Sequence, residues 1–493
     1  MSFAQTGNDR PAQSGALRLI AYAPHVFLLG AFAALGYTIA DYSIDWMHPE
    51  TWAQHNVYLA GLNTFDWSLP AQFFNCEIIA GGGCTRARFL SYLFSYANAF
   101  FRLWLVDYIP PHPSLSLNWL FSLASIYFLY RIVLGLTHDR PAALLASGLY
   151  ILSAGLLSNF SMLFHPAKPL AGFFVNLCLL LALRLERAAH PAGAAAYATL
   201  LFPCLWLAYF SDETTWFLWV AIPILCPRLA IGPRRVLLAG IVSSFPLFLA
   251  FVTWAAPVIV KSLWGYEFTF WSYIFNSGAT EPNAMPLLER IEPGVILAVA
   301  LNLVTSQHAW WQSGRDVAVL SLLPVAAAVG LAGIFADRAL RVLLLRASAL
   351  FAAFLVFQSV LLLRYIPASE AGTFYYGALY ANYSAILAGV VMACFRGGWL
   401  ILALRAIAAV YLGFVSFTWC LSFNTVWIPM HFPDHLQIAG RNLRPDAPSS
   451  AGVVAEYWSI ARAGGDAGRI ALQPKEVWLF DLMDDWRRRQ SAQ

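Results

Sequence analysis

The residues best placed for chemistry are Asp41 and Asp45, two carboxylates that follow the first apolar run of the chain. A carboxylate at a membrane surface can act as a general base, because partial loss of water raises its pKa toward neutrality. Arg86 and Arg88 lie further along the same polar stretch, and an arginine can bind a phosphate through two parallel hydrogen bonds. Acids and arginines together beside a lipid phase suit the transfer of a group from a lipid-linked phosphate. The alternative interpretation is that these charges only solvate a loop.

A second acidic pair, Asp212 and Glu213, lies in the sequence Ser-Asp-Glu-Thr-Thr-Trp between two apolar runs. Ionisable residues at membrane depth are costly and are often functional. The same residues would also suit a turn in which Ser211 or Asp212 caps the following helix, because acids are favoured in a first helical turn. The sequence leaves both interpretations open.

Other candidate side chains lie in turns and loops between apolar runs. Lys168 could bind a phosphate beside His165, although a lysine that extends its charge to the membrane surface is the favoured interpretation. Arg364 could also hold a phosphate, with Glu370 as its partner. Trp271 belongs to a run of alternating aromatic residues, which could stack on sugar rings but more often forms an interfacial belt.

Two cysteines differ from the other five because they lie outside the apolar runs. Cys76 and Cys84 flank the sequence Glu-Ile-Ile-Ala-Gly-Gly-Gly, and three glycines allow the chain to turn back sharply. An oxidising exterior would favour a disulfide between them, and the alternative is two free thiols. No spacing typical of metal ligands is present, so the sequence assigns no residues as metal ligands.

The composition decides the class of protein. Only 11% of the 493 residues are charged, and 60% are hydrophobic. A soluble protein carries about 25% charged residues, so a water-soluble fold could not cover this much apolar surface. The chain is therefore predicted to be an all-α, multi-pass membrane protein, and disordered, collagen-like and disulfide-scaffold classes are excluded.

A helix needs about 20 mostly apolar residues to cross a bilayer, and the chain contains about eleven such runs, within a range of about 10–13. These runs are 18–40, 114–136, 142–160, 170–186, 194–210, 213–227, 236–257, 317–335, 347–364, 377–395 and 406–423. Two further stretches, 89–106 and 294–311, either span the membrane or lie in its interface.

The placement of arginine sets the orientation of these spans. With the N-terminus in the cytoplasm, the cytoplasmic segments hold 14 basic and four acidic residues, whereas the loops on the opposite side hold 8 basic and 14 acidic ones. Residues 1–423 then form a transmembrane bundle with two long exterior loops, 41–113 and 258–316, and residues 424–493 form a small exterior cap. The short loops and the composition rich in Ala and Arg point to a bacterial inner membrane, with the C-terminus in the periplasm.

This layout resembles that of the GT-C superfamily of membrane glycosyltransferases, polytopic proteins whose long first exterior loop carries acids directly after the first span. Many bacterial members have an acidic pair there, followed by a stretch similar to Gly-Arg-(Phe/Trp)-Leu-Ser-Tyr-Leu. Asp41 and Asp45 match the acids, and Arg-Phe-Leu-Ser-Tyr-Leu, which begins at Arg88, matches the second stretch. The chain departs from the pattern because its acids are four residues apart rather than adjacent, and because Ala87 replaces glycine.

The resemblance implies an inverting transfer of a sugar from a polyprenyl-phosphate donor to a cell-envelope glycan or lipid acceptor on the exterior face. Asp41 or Asp45 would act as the general base. The donor phosphate would bind to Arg86, Arg88, Lys168 and Arg364, and the acceptor or sugar to His165, Asp212, Glu213, Trp271 and Glu370. Some members use a divalent metal such as Mg or Mn, and the sequence leaves that open.

Two other functions fit a polytopic membrane protein of this kind. A transporter or flippase of a lipid-linked saccharide would show inverted repeats or broken helices at mid-membrane, and the sequence shows neither. A non-catalytic membrane subunit of a larger complex would need its acids only for stability or assembly. The expected partners of the enzyme are the polyprenyl-phosphate sugar, its acceptor and membrane lipids, and nothing indicates a nucleic acid.

Overall fold

The computed structural model describes residues 117–151, 167–265, 287–297, 326–362 and 377–395, with short pieces and single residues outside these ranges. This part of the chain is almost entirely helical. Its strands are two pairs of two residues each, one parallel and one antiparallel. The all-α prediction is therefore confirmed for the described residues, while spans 18–40 and 406–423 and the cap 424–493 lie almost wholly outside them.

Eleven α-helices of the described part are numbered in chain order. They are α1 (Leu117–Thr137), α2 (Arg140–Ile151), α3 (Ala167–Arg187), α4 (Pro191–Tyr209), α5 (Leu218–Leu225), α6 (Arg235–Ala250), α7 (Ala256–Trp264), α8 (Leu287–Arg290), α9 (Ala326–Phe335), α10 (Arg338–Leu362) and α11 (Gly377–Cys394). Short 3-10 helices cover Glu213–Phe217, Pro227–Ala230 and Gly232–Arg234, and a π-turn at Phe251–Ala255 joins α6 to α7. The strands are β1 (Cys84–Thr85), β2 (Thr269–Phe270), β3 (Gln437–Ile438) and β4 (Arg441–Asn442).

Five helices of the described part are long and apolar enough to cross a membrane. They cover Leu117–Thr137, Lys168–Arg187, Pro191–Tyr209, Gly232–Leu263 and Arg338–Leu361, and each overlaps a span predicted from hydropathy. Three shorter apolar helices, Glu213–Leu225, Ala326–Phe335 and Leu379–Cys394, overlap three more predicted spans. The chain is thus a multi-pass membrane protein.

Helix α3 is the centre of the bundle. It packs against α1, α4, α5 and α11, and most of its length is buried. Its twenty residues from Lys168 to Arg187 rise about 30 Å, the thickness of the hydrocarbon core of a bilayer. The two ends of α3 therefore define the two ends of the bundle, which we name the Lys168 end and the Glu186 end.

The Glu186 end is tied together by polar contacts with the 3-10 turns that precede α6. The carboxylate of Glu186 accepts a hydrogen bond from the backbone N–H of Arg228 at 2.9 Å. The guanidinium of Arg234 donates to the backbone carbonyls of Glu186 and Ala188. These residues lie in or next to the arginine-rich loops that are predicted from the sequence to be cytoplasmic.

Two helices extend beyond the limits that hydropathy predicts. Helix α10 begins at Arg338 rather than at residue 347, because Asp337 caps it by accepting from the N–H of Leu340 at 2.8 Å. The helical stretch after the π-turn continues to Trp264, where Gly265 adopts a left-handed conformation, so helix replaces the predicted start of the loop 258–316. Hydropathy locates the apolar centre of a helix, whereas caps set its ends.

Candidate functional site

The Lys168 end contains a sharp turn between α4 and the 3-10 helix Glu213–Phe217. Asp212 is the N-cap residue of that helix, and its carboxylate accepts from the Thr214 N–H at 2.9 Å and from the Thr214 hydroxyl at 2.5 Å. The capping interpretation of Asp212 is therefore confirmed. The cap also fixes the direction of the carboxylate, which determines what it can contact.

Two cations converge on this one carboxylate. Lys168 donates from Nζ to Oδ1 of Asp212 at 3.0 Å and to Oδ2 at 2.9 Å, and Nη2 of Arg88 lies 3.2 Å from Oδ2. All three residues are buried, with exposed fractions of 6% for Arg88, 2% for Lys168 and 0% for Asp212. Lys168 therefore lies inside the bundle and does not extend its charge to the membrane surface. We name these three residues the ion cluster.

The ion cluster keeps Asp212 ionised. Burial by itself would raise the pKa of this carboxyl. The positive charges of Arg88 and Lys168, together with the hydrogen bonds from Thr214, outweigh burial and lower the pKa of Asp212 below its ordinary value. A carboxylate whose pKa is lowered in this way is a weak base, so Asp212 does not suit the role of a general base.

Arg88 is held in place by the residues that follow it. The N–H of Leu90 donates to the carbonyl of Phe210 at 3.1 Å, and the hydroxyl of Ser91 donates to the carbonyl of Ser211. The ring of Phe89 packs against that of Phe210 at 5.4 Å. The segment that resembles the superfamily stretch is thus bound directly to the turn that carries Asp212.

The two long loops predicted on the exterior meet near this turn. Cys84–Thr85 of the first loop pairs in parallel with Thr269–Phe270 of the second. Phe270 reaches Trp216 of the 3-10 helix with ring centroids 6.5 Å apart. Since Cys84 and Arg88 are close in sequence, the paired strands lie next to the segment that places Arg88 in the ion cluster.

An aromatic layer surrounds the turn. Phe210 contacts the rings of Trp206, Phe248 and Phe251 at centroid distances between 5.1 and 6.1 Å. The indole N–H of Trp216 donates to the carbonyl of Tyr209 at 3.2 Å. This aromatic layer packs beside the turn that carries Asp212.

Of the residues predicted to form a site, the structure brings Arg88, Lys168 and Asp212 together. Glu213 follows directly and is also buried. The remaining candidates lie outside the described residues, apart from the backbone of Cys84 in β1. They are Asp41, Asp45, Cys76, Arg86, His165, Trp271, Arg364 and Glu370.

The structure also contains buried polar groups that the sequence analysis did not select. Arg290 of α8 is almost fully buried, and its Nη1 donates to the carbonyl of Val360, near the end of α10, at 3.1 Å. Gln358 and Asn382 are fully buried on α10 and α11. An amide within an apolar run is the sequence signal that could have identified the last two.

Within the described residues, no three His, Cys, Asp or Glu side chains come together as ligands for a metal ion. Asp212, the acid at the centre of the site, is already bound to two cations. The known proteins offer no identification: no protein-family model matches the chain, and no curated protein is significantly similar to it.

Proposed function

We propose that the chain is a membrane glycosyltransferase that transfers a sugar from a polyprenyl-phosphate donor to a cell-envelope glycan or lipid acceptor. The observation that carries this proposal is the convergence of Arg88 and Lys168 at one end of the helical bundle, bridged by Asp212. Two oriented cations next to a lipid phase suit an anionic lipid headgroup. The resemblance of the Arg88 segment to the GT-C superfamily supports the same activity.

In the proposed reaction, the acceptor hydroxyl attacks the anomeric carbon of the donor sugar and the bond from that carbon to the phosphate oxygen breaks. The electron pair of that bond leaves with the polyprenyl phosphate, whose developing charge Arg88 and Lys168 stabilise. The hydroxyl proton passes to Asp41 or Asp45 as general base. Attack on the face opposite the phosphate inverts the configuration at the anomeric carbon.

Asp212 is proposed to orient the two cations rather than to bind the acceptor. Its carboxylate lies between Arg88 and Lys168, and the Thr214 hydrogen bonds fix its position. Preorganised cations need no rearrangement when the phosphate charge develops, so they stabilise the transition state more effectively than mobile ones. Glu213 remains a candidate for acceptor binding.

The Lys168 end is proposed to face the exterior of a bacterial inner membrane, with the N-terminus in the cytoplasm and the C-terminus in the periplasm. The arginine-rich turns at the Glu186 end support this orientation, because basic loops are retained in the cytoplasm. A donor used on the exterior is lipid-linked, which agrees with cytoplasmic loops too short for a nucleotide-binding domain.

The cation assignment is tested by replacing Arg88 or Lys168 with glutamine in the full chain and measuring binding of polyprenyl phosphate in nanodiscs. Each substitution is expected to weaken binding, and to lower transfer from polyprenyl-phosphate sugar by about 100-fold. The matched control is Arg184→Gln, because Arg184 is an exposed cation on the same helix as Lys168. Equal binding by the control and the cluster variants would remove the assignment.

The general base is tested by Asp41→Asn, Asp45→Asn and the double variant, each of which should insert and fold but lose sugar transfer. Full activity of all three variants would exclude both residues as the base. A flippase would instead move lipid-linked saccharide across vesicles without forming a glycoside. A non-catalytic subunit would lose assembly rather than a reaction.

A further inference from the structure

Three buried polar side chains lie on α10 and α11, two helices that pack against each other, and none of the three belongs to the ion cluster. Gln358, Asn382 and Tyr383 have exposed fractions of 0%, 0% and 1%. Among the residues that the structure describes, the two carboxamides and the Tyr383 hydroxyl find no hydrogen-bond partner. Five polar atoms on these two packed helices are thus left without a hydrogen bond from the described residues.

Aromatic rings pack around Tyr383 and along the part of α10 that carries Gln358. The rings of Phe354 and Tyr383 lie 4.6 Å apart, and Phe217 contacts both Tyr383 and Phe357 at 5.4 Å. Gln358 is four residues after Phe354, so both project from the same face of α10. Gln358 and Tyr383 therefore lie beside an aromatic surface formed by Phe217, Phe354 and Phe357, and Asn382 directly precedes Tyr383 on α11.

This region is close to the ion cluster. Phe217 is the last residue of the 3-10 helix that Asp212 caps. The five residues of this 3-10 helix rise about 10 Å along its axis. That rise separates Phe217 from Asp212, the residue that holds the two cations. A hexose ring attached to a phosphate has a length comparable to this separation.

Buried polar groups without partners destabilise a fold, and they are tolerated where a ligand satisfies them. A carboxamide offers two N–H donors and an oxygen acceptor, and a phenol both donates and accepts. Neutral groups of this kind, next to apolar rings, match a ligand with many hydroxyls and an apolar ring face. They do not match a second phosphate, because none of the three polar side chains carries a charge.

We propose that Gln358, Asn382 and Tyr383 form a subsite for the neutral sugar ring of the donor. The inference rests on the proposed function in one respect: the sugar is taken to be attached to a phosphate that Arg88 and Lys168 bind. The hydrogen bonds come from the two carboxamides and the phenol, and the aromatic surface packs against the apolar face of the ring. This subsite determines which sugar is accepted. A sugar whose hydroxyls are wrongly placed leaves the buried amides without hydrogen bonds and therefore binds more weakly.

The test compares polyprenyl phosphate with its glucosyl, galactosyl, mannosyl and arabinosyl derivatives, using the full chain in nanodiscs. At least one derivative should bind to the wild-type protein about tenfold more tightly than polyprenyl phosphate without a sugar. One hydrogen bond can increase the affinity by up to about tenfold. The double variant Gln358→Leu/Asn382→Leu should lose this gain and keep the affinity for the bare phosphate. Its ligand-free thermal stability should stay equal or rise, because unpaired buried groups have been removed.

Tyr383→Phe is the second and milder variant, and Tyr380→Phe is its matched control on the same buried helix. The control should keep the full gain, whereas Tyr383→Phe should lose part of it. If no derivative gains affinity in wild type, or if the gain survives in the double variant, the subsite is refuted. A loss of ligand-free stability in the double variant would likewise refute it and indicate that the amides serve the fold through bound water.

A separate arm distinguishes this inference from the proposed function. Methyl glycosides of the same sugars carry no phosphate, so they report on the subsite without the ion cluster. Stabilisation of wild type by one glycoside, lost in the double variant, supports the subsite even if polyprenyl phosphate does not bind. Failure of the bare phosphate to bind counts against the phosphate role of Arg88 and Lys168 alone.

Discussion

Lys168 donates to both carboxylate oxygens of Asp212, at 3.0 and 2.9 Å, although the two residues are 44 positions apart and belong to different helical segments. Both side chains are buried. The contact closes the turn after α4 onto the first residues of α3. Breaking it would leave a charge buried without its partner, which is costly in a bundle of this composition.

Asp212→Asn should therefore destabilise the protein by about 3–5 kcal/mol, because Arg88 and Lys168 lose the charge that compensates them. The matched control is Asp337→Asn, since Asp337 also caps a helix but meets the N–H of Leu340 rather than buried cations. That control should leave stability nearly unchanged, because asparagine caps a helix about as well as aspartate. Unfolding in detergent, followed by tryptophan fluorescence, measures both, and equal losses would contradict the charge argument.

The contribution of Asp212 to stability should not change between about pH 8 and about pH 5. Its pKa is lower in the folded chain than the value of 3.8 expected for a free side chain. A lowered pKa stabilises the fold above the unfolded value, and the stabilisation is lost as the pH falls through the folded value. The measurement is the stability difference between wild type and Asp212→Ala across this range. A difference that vanished near pH 6 would mean that Asp212 is protonated there.

Gly389 of α11 should tolerate no side chain. A methyl group there would lie 2.6 Å from Cγ1 of Val133 and 3.0 Å from Cβ of Ala146, so α1 and α2 would have to move. Gly389→Ala should cost about 1–3 kcal/mol. Gly148→Ala on α2 is the control, because no atom lies within 4 Å of the added methyl, and it should leave stability unchanged or higher. Thermal unfolding of both variants measures the contrast.

Asn176 should stabilise the contact between α1 and α3. Its Nδ2 donates to the carbonyl of Ser125 at 3.1 Å and to the Ser125 hydroxyl at 2.8 Å, and that hydroxyl lies 3.2 Å from the hydroxyl of Tyr150. Hydrogen bonds between membrane helices are worth about 0.6 kcal/mol on average, with a maximum of about 1.7. Asn176→Ala should lower the free energy of unfolding by an amount within this range or slightly above it. A double-mutant cycle with Ser125→Ala measures the coupling, and a coupling of zero would exclude the bond.

Hydropathy was a reliable guide to the centres of the helices and a poor guide to their ends. The apolar runs that contain Leu129, Leu179 and Leu350 each became a long helix, because a backbone in lipid must satisfy its own hydrogen bonds. The start of α10 at Arg338 was missed because an Asp337 cap lies outside the apolar run. The continuation of helix to Trp264 was missed because Lys261 and Pro257 interrupt the hydropathy.

The candidate site, like the helices, could be predicted only in part from the sequence. The sequence by itself identified Arg88, Lys168 and Asp212 as charges beside apolar runs, since ionisable groups in such a chain are rare and conspicuous. It could not show that one carboxylate holds both cations, because that depends on the packing of α3 against the turn after α4. It also gave no reason to group Gln358 with Tyr383, which lie on different helices. Residue type decides which groups can take part in chemistry, whereas helix packing decides which of them meet, because contacts between distant segments depend on the fit of whole surfaces.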